Sequence, residues 1–200
     1  MADYTAMVEA GEALVELLRE HLTPEPISNR ELITMCSPHE SGNNQLTVCL
    51  FHIEEDMQSN QAGYYQYSQN EERARSAQVQ LSFLITAHSK APIHLREADQ
   101  YRITGAVFQI LKDTPVLPPR FLQGSLAASE AELHISVERP NYEQMMKIWN
   151  NTSNQYKVSL VCKLTGVSID SKRSRSIQRV LDVEIDINQK ERNSNRRLTN

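Results

Sequence analysis

Cys49 and His52 are a thiol and an imidazole three residues apart, in the stretch NQLTVCLFHIEED (44–56). A cysteine nucleophile with a histidine base needs the two side chains in contact. The stretch alternates. Leu46, Val48, Leu50 and His52 form one set, and Thr47, Cys49, Phe51 and Ile53 the other, which predicts a strand. In a regular strand, residues i and i+3 face opposite sides, so that geometry excludes the dyad. Both sets are largely apolar, as in a strand covered on both faces. Ser37-Pro38-His39-Glu40 is the other compact polar group. It brings neither an oxyanion site nor an oriented base and is read as a turn. Asp182, Glu184 and Asp186 recur at i, i+2 and i+4, the spacing of a strand's solvated face rather than of a metal site. The six histidines and three cysteines lack ligand spacing, and no GxxxxGK[ST], GxGxxG or HExxH is present. No catalytic, cofactor-binding or metal residue is assigned.

Two groups remain as candidates for touching a partner. Tyr64, Tyr65 and Tyr67 lie in a long polar stretch, 55–77. Basic residues collect at Lys172, Arg173 and Arg175, in a predicted hairpin turn, and at Arg192, Arg196 and Arg197 near the C-terminus. Along the chain the aromatics are not interleaved with the basic residues, so base-stacking recognition of nucleic acid is not expected. An acidic protein surface suits the basic residues better.

The elements that would position these residues follow from periodicity. Met7, Gly11, Leu14, Leu18 and Leu22 make one stripe of an N-terminal helix, with Asp3 or Thr5 to cap it and Pro24 and Pro26 to end it. Residues 31–35 suggest a short strand. After the strand at 45–54, the stretch 55–77 holds neither a helical nor a strand period and reads as a solvated flap or a contact for a partner. Val79, Leu81, Phe83 and Ile85 mark the next strand. A helix follows at about 94–112, with Leu95, Ala98, Ile103, Ala106, Val107, Ile110 and Leu111 on its buried side. Gly105 there suggests a close approach to the sheet. Leu133, Ile135 and Val137 mark a strand with one wet face. Asn141 and Gln144 are placed for a capping box on a short helix carrying Met145, Met146, Ile148 and Trp149. A strand from Tyr156 to Leu164 continues past Gly166, read as a bulge, to Ile169. A last strand at 177–187, antiparallel to it, places Leu181, Val183, Ile185 and Ile187 inside.

This order predicts an α+β fold: a mixed, mainly antiparallel sheet packed with two longer helices and one short one. Residues 1–188 form one domain and 189–200 a polar, basic tail. With 40% hydrophobic and 23% charged residues, the 200-residue chain is an ordinary globular one, long enough for one core. The net charge of −4 gives no global drive onto nucleic acid or anionic membrane. No apolar run approaches the ~20 residues of a membrane span. The start, MADYTAMVEAGEALVELL, lacks the basic region of a signal peptide. Three cysteines without CxxC spacing suit reduced, buried thiols.

An ordered series of segments goes further: GEALVELLRE, then SPHE before LTVCLFHIEED, VQLSFLITAHS leading to YRITGAVFQILKDTPVL, then LHISVERPNYEQMMKIWN and YKVSLVCKLTGVSID. Over about residues 5–187 the chain resembles the N-terminal domain family of cap proteins in extracellular contractile injection systems, of the Photorhabdus virulence cassette and antifeeding prophage type. The resemblance implies a phage tail-terminator-like fold and a structural, non-enzymatic role. It implies a ring of identical copies, expected to be a hexamer, on the distal end of the inner tube and sheath. That ring would end polymerisation and tether sheath to tube. The implied partners are the chain itself, the tube protein and the sheath protein, with no cofactor, nucleic acid or membrane. Assembly in the bacterial cytoplasm and later residence in the particle are implied too. A baseplate or tube-adaptor role in the same particle is the alternative, and a small hydrolase a more distant one. Two features depart from the family pattern: the flap is longer, and the sequence ends soon after its last predicted strand, where some family caps are expected to carry a second domain.

Overall fold

The computed structural model describes residues 3–57, 63–150 and 156–177. Apart from Ile177, the predicted strand at 177–187, its three acids, and Arg192, Arg196 and Arg197 lie outside the described residues.

Helix α1 (Ala6–Leu22) ends at Thr23, before Pro24. It buries Ala10, Ala13, Leu14, Leu17 and Leu18 in the core, the stripe that its 3.6-residue period sets up. Its start differs from the expectation. Thr5 has helical backbone angles and makes no side-chain cap; its hydroxyl donates to Glu9 Oε1 at 2.7 Å. Gly11 lets α1 lie close on the sheet, since a Cβ there would stand 2.5 Å from Met35 Sδ and 3.3 Å from Phe83 Cε1.

The main sheet has the order β1 (Ile33–Met35), β2 (Leu46–Glu55), β5 (Ala77–Ala87), β7 (Ser159–Ile169), β6 (His134–Glu138). Only β1–β2 is parallel; the other neighbours are antiparallel. The expected α+β fold with a mixed, mainly antiparallel sheet is the observed one. One face carries Val48, Leu81, Phe83, Ile85, Cys162 and Leu164 and is packed by α1 and by α2 (Ile93–Asp113). The short helix α3 (Gly124–Ala128) packs on α1. It is held by the Glu9 carboxylate, which accepts from the Leu126 N–H at 2.9 Å and the Ser125 hydroxyl at 2.8 Å. On the opposite face α4 (Tyr142–Asn150) puts Met145 and Trp149 against Leu84 and Val161. The capping box forms reciprocally: the Gln144 N–H donates to Asn141 Oδ1 at 2.8 Å, and the Asn141 N–H to Gln144 Oε1 at 2.9 Å.

Two bulges set the faces. Gly166 is one, at φ +90°, and a Cβ there would run into the Glu132 carbonyl oxygen. The second was not expected. Leu50 pairs with Phe83 and His52 with Ser82, so Phe51 is an extra residue in β2. The alternation reverses there. Cys49, opposite Leu84, and His52, opposite Ser82, therefore share a face, and the geometric ground for excluding the dyad fails.

Three further expectations differ from the structure. The first turns of α2 overhang the core: Leu95 is exposed and so is Ala98, while Ile103, Val107 and Leu111 are buried as expected. Gly105 is exposed with nothing within 4 Å of a built Cβ, so it serves no close approach. The second half of β2, from Phe51 on, is exposed instead of covered on both faces, because it runs out beyond the helices.

Candidate functional site

Covalent chemistry has no footing around the thiols. The Cys49 thiol points to the Leu50 carbonyl at 3.8 Å, and no hydrogen bond joins it to His52 among the described residues. Burial, with the nearby Cys36, pushes the Cys49 thiol up, away from a reactive thiolate. Burial pushes Cys162 up to about 12. The 37–40 segment is a hydrogen-bonded turn. Ser37 Oγ accepts from the His39 N–H at 3.3 Å and the Ser37 carbonyl from the Glu40 N–H at 3.1 Å. The His39 ring meets Trp149 edge-on with centroids 5.3 Å apart. No cluster of three or more potential metal ligands occurs among the described residues.

What the fold does assemble is a ribbon. Within the predicted flap, β3 (Tyr64–Gln66) pairs antiparallel with β4 (Glu71–Ala74), and β8 (Ser174–Ser176) adds to β4 from a hundred residues later. The described part of the flap is thus a three-stranded sheet rather than a featureless loop. Its local alternation is too short to be seen along the chain, and its third strand is remote in sequence. Arg175 is a strand residue, not a turn residue, while Lys172 and Arg173 lie in the connection from β7.

The ribbon brings the tyrosines and the basic residues together. Tyr65 and Arg73 are register partners, and the Arg73 guanidinium sits 3.4 Å from the centre of the Tyr67 ring. Its Nε also donates to Glu71 Oε1 at 3.3 Å. On the other face, Arg175 lies 4.3 Å from the Tyr64 ring centre and forks onto Glu72 Oε2 at 2.7 and 2.6 Å. Lys172 Nζ stands 5.6 Å from the Tyr4 ring. Aromatics and cations that do not alternate in sequence therefore do so in space. No residue of β3, β4 or β8 is fully buried. A ribbon with no hydrophobic core of its own is marginal in water and is held here by cation–π and ion pairs.

An open cleft of about 630 Å3 lies between the ribbon and the end of the main sheet, and one of about 470 Å3 between the ribbon, Asp3 and the connection after β7. Both are lined by Asp170, whose Oδ1 accepts from Ser76 Oγ at 2.5 Å. Along the outer side of β6, residues 115–117 are bonded: the Ile135 N–H donates to the Pro115 carbonyl at 2.7 Å and the Leu117 N–H to the Leu133 carbonyl at 2.8 Å. At β1 the Ile33 carbonyl takes two bonds from Arg19, at 3.0 and 2.7 Å. The outer strands of the ribbon are β3 and β8. Chemically the ribbon gathers tyrosines and guanidinium groups with Glu71 and Glu72, the carboxylates that pair with Arg73 and Arg175.

The profile of the Pvc16 N-terminal domain family matches residues 9–182. The chain belongs to that family. Among solved structures, this Pvc16 N-terminal domain is similar to the sheath/tube terminator of the PVC extracellular contractile injection system in its extended state. The TM-score is 0.65 at 17% identity, over 96% of this chain and 66% of that one. It is also similar to the anti-feeding prophage cap, a tube-terminating cap, with a TM-score of 0.59 at 18% identity, over 90% of this chain and 61% of that one. The Pvc16 domain thus spans a little under two thirds of the length of either neighbour. At these identities the likeness is one of fold. No curated protein matches the chain.

Proposed function

We propose that this chain is a structural cap, a tail terminator that forms a ring on the distal end of the inner tube and sheath of a contractile injection particle. It ends their polymerisation and tethers sheath to tube. The observation that carries this reading is the fold. Nearly the whole chain superposes on a sheath/tube terminator and on a tube-terminating cap. The lack of catalytic geometry around Cys49, His52 and the 37–40 turn agrees with a non-enzymatic role.

The physics of capping needs no chemistry. A tube end presents several identical unsatisfied interfaces. A ring of matching rotational symmetry, six copies in this proposal, repeats one modest contact at each. Once the copies are linked, each further contact forms at high effective concentration, so weak single contacts hold tightly. The ribbon is the proposed contact. It carries exposed Tyr65 and Tyr67 beside Arg73 and Arg175, and its outer strands β3 and β8 are the proposed sites of strand addition. Lys172 and Arg173 lie beside it. The basic tail with Arg192, Arg196 and Arg197 is a second proposed contact, with acidic sheath segments. The proposed partners are therefore the chain itself, the tube protein and the sheath protein. Assembly takes place in the bacterial cytoplasm before the particle is released.

Deleting the gene and imaging the particles by electron microscopy tests the proposal. The expected result is overlong tubes with detached sheath. Particles of normal length lacking their baseplate would instead assign the chain to the opposite end. Removing residues 189–200 alone should loosen the sheath without changing the folding midpoint.

A further inference from the structure

The end of the main sheet opposite the ribbon carries a group of cations with no ion pair among the described residues. Many arginines and lysines elsewhere are matched: Arg19 and Arg30 to Glu16, Arg102 to Asp99, Arg120 to Glu20, Lys147 to Glu143, Lys163 to Glu138. Asp99, near this end, is taken by Ser89 and Arg102, at 2.5 and 3.3 Å. Lys90, Arg96 and Lys157 have no carboxylate within 4.0 Å among the described residues. Lys90 Nζ donates to the Gly42 carbonyl at 2.6 Å. Lys157 Nζ bonds to His88 Nδ1 at 2.9 Å, and His88 Nε2 to Thr47 Oγ1 at 3.0 Å. His88 is 4% exposed. Its burial, with the charges of Lys157 and Lys90, holds it down to about 4, so near neutral pH it is an uncharged acceptor and a fixed post for the lysine. Burial, with Lys90 and Arg96 nearby, lowers Lys157 as well. The first turn of α2 adds no acidic residue. In a chain of net charge −4, three unmatched cations in one place call for an external anion.

Apolar side chains flank them: Ile93 is 82% exposed, Leu95 50% and Val158 46%. Exposed aliphatic and cationic residues close together in the chain fit a peptide that alternates aliphatic and acidic ones. The chain contains such an alternating stretch, Leu181-Asp182-Val183-Glu184-Ile185-Asp186-Ile187. Chain length keeps the middle of that stretch from the cationic end of its own sheet. Ile177 donates to the Asn70 carbonyl at 3.0 Å, at the ribbon. The site lies beyond the far end of β5, an 11-residue strand spanning roughly 35 Å at about 3.3 Å per residue. The run of chain from Ile177 to Glu184 extends at most about 25 Å.

We propose that the Lys90–Arg96–Lys157 end of the sheet is the docking site for residues 181–187 of a second copy of this chain. The exchange is heterologous, site of one copy to strand of the next, which is the geometry that closes into rings. It rests on the ring reading above, yet is separable from it.

Charge exchange on the full-length chain tests it. One variant is D182K/E184K/D186K and the other K90E/R96E/K157E, each checked by circular dichroism and followed by mass photometry. Each alone is expected to lose assembly by more than tenfold in midpoint concentration, and an equimolar mixture to regain it. Wild-type assembly of either variant alone, or a mixture that stays dissociated, overturns the proposal. A labelled peptide of residues 179–189, titrated onto the wild-type full chain and a milder K90Q variant, covers misfolding. Affinity reduced severalfold by K90Q supports docking, and equal affinity overturns it. If only the cationic variant loses tube binding while the acidic variant assembles normally, another protein's acidic segment is the occupant and self-exchange falls. Rings that persist and still cap tubes in both variants sink this inference and leave the capping role standing.

Discussion

Glu9 shows how one residue can join distant parts of the chain. Its carboxylate takes bonds from Thr5, Ser125 and Leu126. Burial raises its pKa, but these bonds outweigh that and hold it below the usual 4.5. A carboxylate lowered in the folded state contributes stability that is present above its unfolded pKa and fades as pH falls through the folded one. Glu9→Gln should therefore cost about 1–2 kcal/mol near pH 7, the scale of a charged hydrogen bond reduced by solvent screening. The gap in thermal midpoint from wild type should close below about pH 4.5. A gap of constant size across that range would show that the charge is not what holds α3. Gly105 makes the opposite case. It is exposed, in mid-helix, with open space where a Cβ would stand. Gly105→Ala should stabilise the chain by about 0.8–1.0 kcal/mol in urea unfolding. The glycine's presence in an amphipathic pattern was visible in the sequence, but what stands opposite it was not, and the close approach expected there belongs to Gly11 instead.

At the scale of elements, long periodic segments were legible and short or overhanging ones were not. α1, the capping box of α4 and the bulge at Gly166 are where the sequence places them, because each depends on residues within a few positions. The ribbon escaped. β3 and β4 are three and four residues long, and β8 comes from beyond the whole second half of the sheet. A ribbon held by Arg175 on Tyr64 and Glu72 should loosen when that side chain is removed. Arg175→Ala should speed amide exchange across β3, β4 and β8 by about an order of magnitude, while β5 and β7 keep their protection. Unchanged exchange in β3 would mean that the backbone ladder alone sustains the ribbon.

Over the whole molecule, the chain separates a packed body from the two surfaces proposed to meet partners. The body is one sheet with α1 and α2 on one face and α4 on the other. The ribbon at one end and the cationic cluster at the other take almost no part in its core. That separation allows interface variants to be made without unfolding the protein, which the capping and charge-exchange experiments require. The sequence by itself determined the class of fold, the helix stripes, the family resemblance and the lack of a legible active site, because hydrophobic period and local turn chemistry are encoded residue by residue. Only the tertiary structure decided which face each side chain takes beyond a bulge. It alone brought the tyrosines to the arginines and left Lys90, Arg96 and Lys157 without an ion pair among the described residues. A single inserted residue at Phe51 reverses every side chain after it, and pairing across a hundred residues depends on where the backbone has gone, which no local pattern carries.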